Sequence, residues 1–349
     1  MATWKYSEDK KIRHRLTYDD VLIRPGYSTA ESRLDCQPMW SVFDKEYSPI
    51  IVANMDTIST LNMAEAVAAE GVMVPFHRFQ SVRDQLLMLQ EFHAWKCEKK
   101  FDRRVMCAAA VGLPEPEERF ERIKEYCDVL FLDVAYAYNT QAIQEAERIR
   151  KSFDGILVVG NVATAEAVQH LEGIADLVKC GVGNGSVCTT RLVTGCGLPQ
   201  VGALIECVEA GKEVGISVIA DGGVKTAGDI VKALCLGAKY VMVGSMFAGT
   251  EESAGDGYDK RIYRGLASKD AQVDRFGSLP TWVAPEGISA VVSYKGPAER
   301  VVQVLHASIR QGMAMVGVTK LEDLARNSVL QVISPATKHE NVPHILDRY

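Results

Sequence analysis

No stretch of these 349 residues approaches the roughly 20 apolar residues of a membrane-spanning helix, which excludes an integral helical membrane protein. Charge of one sign is not in excess either. Lys and Arg number 39 against 45 Asp and Glu, interspersed, giving a formal net charge of -6. That balance leaves no basic face, so nucleic acid and anionic membrane surfaces are excluded as partners and a small molecule or a second copy of the chain is expected. The nine cysteines form no CxxC pair and have no paired histidines nearby, which excludes a disulfide framework and a zinc site. A reducing, cytoplasmic setting is therefore expected. The opening MATWKYSEDKKIRHR lacks the apolar core of a secretion signal. No Pro/Ser linker, low-complexity tract or internal repeat divides the chain, so residues 1–349 are read as one domain.

What is present is a recurrence of short apolar runs: PIIVAN, GVMVPFH, RVMCAAAVG, VLFLDVA, ILVVGNV, LVKCGVG, SVIADGGV and YVMVGS. Each is too apolar to be half exposed, as expected of parallel strands covered on both faces. The segments between them, such as TQAIQEAERIRKSF and AGDIVKALCLG, have helical periodicity, the latter closing on a glycine. Eight strand-helix units predict a (β/α)8 barrel rather than a doubly wound sheet. In a barrel the active face is built at the strand C-termini. Here that places Asn54 to Thr57, His77, Arg78, Asp133, Asn161, the Gly183 loop, Asp221 to Gly223, Gly244 and Ser245 together. After the eighth strand, a polar insertion over residues 263–296 is too long for a connection and predicts a mobile flap. A long helix from Pro297 to about Met313 follows it.

The densest motif is KCGVGNGSVCTTR, from Lys179 to Arg191. Its glycines allow backbone groups to converge on an ion or phosphate. Cys188 then stands on an exposed loop as a candidate nucleophile, with Thr190 beside it to relay protons. The other eight cysteines read as small buried hydrophobes. In IADGGVKTAGDI, Asp221 is placed to bond sugar hydroxyls while Gly223 admits a phosphate to backbone amides. VGSMFAGTEES repeats the device with Gly244 and Ser245, and two such loops after strands seven and eight match the usual barrel phosphate site.

Taken in order, LTYDDVLIRPGYS, ANMDT, GNVAT, GNGSVCTTR, ADGGVKTAGDIVKAL and VMVGSMFAGTEES resemble the inosine monophosphate dehydrogenase and guanosine monophosphate reductase family, from about Leu16 to Gly317. The resemblance implies that Cys188 attacks C2 of a bound purine nucleotide and that hydride is exchanged with a nicotinamide cofactor. It implies that Ser186, Asp221, Gly223, Gly244, Ser245, Tyr263 and Gly265 contact the nucleotide. Asp133 and Asn161 are implied near the nicotinamide and the base. Independently of the resemblance, Arg78, placed after the second strand, is read as a cofactor-binding partner for a 2′-phosphate, with a merely solvated arginine as the alternative. The carbonyls of Gly183, Gly185 and Cys188 are implied to hold a monovalent cation, K+ being expected, and a homotetramer is implied.

Within the family, AGTEES, HRFQ, NMDTISTLNM and the short flap resemble the reductases, and Gly71 to Val111 leaves no room for the CBS module most dehydrogenases carry. This implies NADPH-dependent conversion of GMP to IMP and ammonia, a reaction of purine salvage, with Glu286 and Thr190 relaying a proton to the leaving amine. PEGISAVVSYKG and the tail SPATKHENVPH resemble the dehydrogenases, which oxidise IMP to XMP with NAD. Against that alternative, Phe276 after Arg275 stands where the water-activating Arg-Tyr pair needs its tyrosine. A catalytically dead nucleotide-binding relative is disfavoured by intact Cys188, Thr190 and Glu286.

Overall fold

A computed structural model describes residues 13–42, 45–101, 105–113, 117–256, 260–279 and 281–341. Most of the N-terminal stretch read for a signal, Arg104, residues 114–116, Pro280 of the flap and residues 342–344 of the tail lie outside the described residues.

Eight parallel strands form one sheet: β1 (Ile50–Val52), β2 (Pro75–Phe76), β3 (Ala108–Val111), β4 (Val129–Asp133), β5 (Ile156–Val162), β6 (Leu177–Cys180), β7 (Ser217–Asp221) and β8 (Tyr240–Val243). Each pairs with its sequence neighbour from β2 to β8, and β8 pairs with β1. Closure comes from a parallel bridge between Ile51 and Met73, with Val52 N donating to Met73 O at 3.0 Å. The predicted (β/α)8 barrel is therefore the observed one.

The alternation of strand side chains explains why the runs are apolar throughout. On β4, Val129 and Phe131 point into the lumen with Ile51, Ala108, Ala110, Val158, Ile219 and Met242. Leu130 and Leu132 point outward against the helices. Small Ala108 and Ala110 leave room for Phe131, so the lumen is filled rather than open.

The loops that leave the strand C-termini end on residues able to cap the next helix. Ser81, Asn139, Thr164 and Thr226 each accept from an amide in the first turn, and Thr226 with Asp229 makes a reciprocal capping box. These caps fix where the loops turn, and hence where the site residues stand.

The flap is folded. Strands Lys260–Arg264 and Ser289–Val292 pair antiparallel and enclose a helix over Lys269–Phe276. The last long helix runs over Ala298–Val316, three residues past its expected end. Two of the cysteines expected to be buried, Cys97 and Cys196, are exposed, and Cys127 is half-buried. Cys97 lies in the last turn of a helix and Cys196 on a loop, positions where no strand pattern buries them.

Candidate active site

A cavity of about 380 Å³ opens at the C-terminal end of the barrel. Of the residues placed at the active face above, Met55, Arg78, Asp133, Asn161, Gly183, Gly185, Ser186, Cys188, Thr190, Asp221, Gly223, Gly244, Ser245, Tyr263, Gly265 and Glu286 line it. Asn54, Asp56, Thr57 and His77 do not; Asn54, Thr57 and His77 are buried instead.

Cys188 and the flap meet at one corner. The Cys188 thiol donates to Thr190 Oγ1 at 3.2 Å, and the Thr190 hydroxyl donates to Glu286 Oε2 at 2.6 Å. Main-chain bonds hold the two segments in register: Thr189 N donates to Glu286 O at 3.0 Å, and Ile288 N to Val187 O at 2.9 Å. The loop is tightened by Cys188 N donating to Gly185 O at 3.1 Å. Gly183 has φ +74, a conformation that glycine adopts without steric cost.

A second corner is made by β7, β8 and the flap strand. Ser186 and Tyr263 share a hydrogen bond of 2.8 Å, and burial pushes the Tyr263 phenol above its usual range. The Gly222–Gly223 turn follows β7 directly and the Gly244–Ser245 turn follows β8. Their amides and these hydroxyls supply neutral donors of the kind that take up a phosphate.

Between the corners, Asp133, Asn161 and Asp221 of the cavity wall meet a buried lysine that does not itself line the cavity. Lys179, on β6, is 5 % exposed. Its ammonium bonds Asp221 Oδ2 at 2.7 Å, Asp133 Oδ1 at 3.0 Å and the Asn161 side-chain oxygen. Asn161 Nδ2 donates onward to Asp221 Oδ2 at 2.8 Å. Burial alone would lower the Lys179 pKa, but Asp133 and Asp221 hold it above its ordinary value. Burial would likewise raise Asp133, yet Lys179 and Arg78 hold it below the usual carboxylate range. Arg78 reaches Asp133 as well, its Nε donating to the main-chain oxygen at 3.1 Å.

No motif in the sequence gives Lys179 a role. The available signal was a lysine inside an otherwise apolar strand that is buried on both faces. Nor does one give a role to Gln272, which lines the cavity from the flap helix, or to Asn184, whose side chain bonds Gln200 and donates to Asp221 O at 3.1 Å.

The flap is also anchored through Arg264. Arg264 bonds Asp56 through Nε at 2.8 Å and Nη2 at 2.6 Å, and reaches Asp274 at 2.5 Å. Phe276 meets Phe79 edge to face, centroids 6.1 Å apart. His77, two residues before Phe79, is 8 % exposed. Burial and the nearby Arg119, Arg275 and Arg264 push it down to about 4.

The fold and this site define a barrel whose flap meets a loop cysteine beside a corner of neutral hydrogen-bond donors, and comparison with known proteins places it more closely. Residues 15–344 match the IMP dehydrogenase / GMP reductase domain, and the chain belongs to that family. It is 34% identical over 334 residues to the GMP reductase of Aliivibrio fischeri (strain ATCC 700601 / ES114), covering 90% of this chain and 93% of that protein. Identity to the GMP reductase of Shigella boydii serotype 18 is also 34%, with the same coverage. A GMP reductase from Trypanosoma brucei, a cysteine-to-alanine variant in complex with guanosine 5′-monophosphate, superposes with a TM-score of 0.86 at 26% identity. That likeness covers 97% of this chain and 99% of the other.

Proposed function

We propose that this chain is a GMP reductase, converting GMP to IMP and ammonia with NADPH. The observation that carries the reading is the continuous bond series from Cys188 Sγ through Thr190 Oγ1 to Glu286 Oε2. The thiol proton passes along it to the carboxylate as Sγ bonds to purine C2. Glu286 then returns the proton, by way of Thr190, to the exocyclic amine as the C2–N bond breaks and ammonia departs. When bound, a reduced nicotinamide would supply the hydride that C2 takes in place of the amine. The C2–S bond then breaks, IMP leaves, and Cys188 is released as a thiolate that takes up a proton from solvent to restore the thiol.

Asp221 accepts from the ribose hydroxyls, with Gly265 beside the nucleotide. Ser186, Gly223, Gly244, Ser245 and Tyr263 take the phosphate. Asp133, Asn161 and Arg78 hold the cofactor, and the Arg78 guanidinium on the cavity wall suits the additional phosphate of NADPH. The main-chain oxygens of Gly183, Gly185 and Cys188 are the neutral, hard donors that an alkali cation such as K+ takes. A cytoplasmic homotetramer completes the proposal. Among the described residues no helix is long and apolar enough to cross a membrane.

The alternative, oxidation of IMP with NAD, needs a group that activates water. Phe276 has no hydroxyl and is turned against Phe79, which favours the reductase. The test is a paired assay. Oxidation of NADPH with stoichiometric ammonia release from GMP is expected, and reduction of NAD by IMP as the dominant activity would overturn the assignment.

A further inference from the structure

Lys179 is absent from the cavity wall, yet three residues that line the wall converge on it. Its ammonium lies between a carboxylate of the nucleotide half, Asp221, and one of the cofactor half, Asp133. Asp221 Oδ2 is taken up twice, by Lys179 Nζ at 2.7 Å and by Asn161 Nδ2 at 2.8 Å. That double bond set fixes the plane of the carboxylate against the floor of the cavity that Asp221 lines. The lysine stem is equally constrained, since a Cβ on Gly160 of the neighbouring strand would stand 2.4 Å from Lys179 Cβ.

We infer that Lys179 is a positioning residue that orients Asp221 for the ribose hydroxyls while holding Asp133 for the cofactor half. Removing the ammonium leaves two carboxylates facing each other with little water between them. Such an arrangement is relieved by uptake of a proton or by rotation of a side chain. Either change spoils Asp221 as a directed acceptor. The charged groups facing Lys179 are Asp133 from β4 and Asp221 from β7, with Arg78 beyond Asp133. The inference rests on the reading of Asp221 as the ribose acceptor.

The experiment measures binding without cofactor, by calorimetric titration of GMP and its 2′-deoxy and 3′-deoxy analogues. In the parent, at least one deoxy analogue is expected to bind about tenfold or more weakly, because a hydrogen bond to a charged acceptor is lost. In Lys179→Gln that preference is expected to shrink to about twofold, and in Lys179→Arg, which keeps the charge, to recover most of its parental value. General weakening of the fold would lower all affinities together and leave the ratio standing. Should Lys179→Gln fail to fold, Lys179→Gln combined with Asp133→Asn removes one of the two opposed charges and is read in the same way. Full ribose discrimination in a folded variant without the ammonium would overturn the role of Lys179 alone. A parent that binds GMP and both deoxy analogues equally would overturn the reading of Asp221 as well.

Discussion

Thr190 and Glu286 are 96 positions apart in the chain, yet the hydroxyl of one donates to the carboxylate of the other across 2.6 Å. One belongs to the loop after β6 and the other to the flap, so the proton path exists only when the flap is docked. Glu286→Gln preserves a partner for Thr190 but removes the group that takes up and returns a proton. Its kcat with GMP is expected to fall about 100-fold, within the usual range for a lost acid-base group, with KM nearly unchanged. Arg275→Ala should stay within about threefold of the parent, since no step of the reductive route uses it. Steady-state NADPH oxidation and ammonia release check both, and a crippled Arg275→Ala beside an active Glu286→Gln would reverse the assignment.

The proposed scheme gives Cys188 the nucleophile's place and assigns the ribose and phosphate contacts to other residues. Cys188→Ala is expected to abolish turnover and leave GMP affinity within a few fold. In the parent, iodoacetamide should inactivate, and GMP should protect. Cys97 and Cys196 are more exposed than the half-buried Cys188, so peptide mapping must show that protection at position 188 tracks activity. Appreciable turnover by the alanine variant would remove the covalent step.

The barrel was legible because each strand is buried on both faces, which makes VLFLDVA or SVIADGGV apolar without interruption. The site residues were legible for a related reason: in a barrel the polar residue that ends a strand has one place to go, and Asp133, Asn161 and Asp221 went there. What periodicity could not reveal was contact across the barrel. Lys179 sits within β6, and its meaning depends on carboxylates brought in from β4 and β7. The flap was recognised by length and polarity, but its antiparallel pair, in which Val291 is exposed and Tyr263 buried, has no uninterrupted apolar run to announce it. Cys97 and Cys196 were misplaced because cysteine is usually buried and local sequence says nothing against it.

Gly181 stands where β6 gives way to the catalytic loop, and a Cβ there would lie 1.9 Å from the main-chain oxygen of Asp221. That atom cannot swing aside as a side chain would, so Gly181→Ala must push β7 and the loop apart. A cost of about 2 kcal/mol or more is expected from such overpacking, together with a loss of GMP affinity of at least about tenfold as Asp221 moves. Urea unfolding and calorimetric titration measure the two effects. A variant of parental stability and affinity would show that the close approach of these segments is not required.

His77 is buried beside three arginines and pushed down to about 4, from an ordinary value of 6.5. Above pH 6.5 the ring is neutral in both folded and unfolded chains and contributes nothing to pH dependence. As pH falls from about 6.5 to about 4, the unfolded chain takes up a proton that the folded protein refuses, so stability is lost progressively through that window. The full loss amounts to about 3 kcal/mol, of which about 2 kcal/mol is reached by pH 5. His77→Asn cannot take up that proton, so its stability should fall less between pH 7 and pH 5 than the parent's, by about 2 kcal/mol. Urea unfolding of both proteins at the two pH values gives the comparison directly. Equal losses would mean that His77 titrates alike in the folded and unfolded chains, and that the arginines around it do not govern its charge.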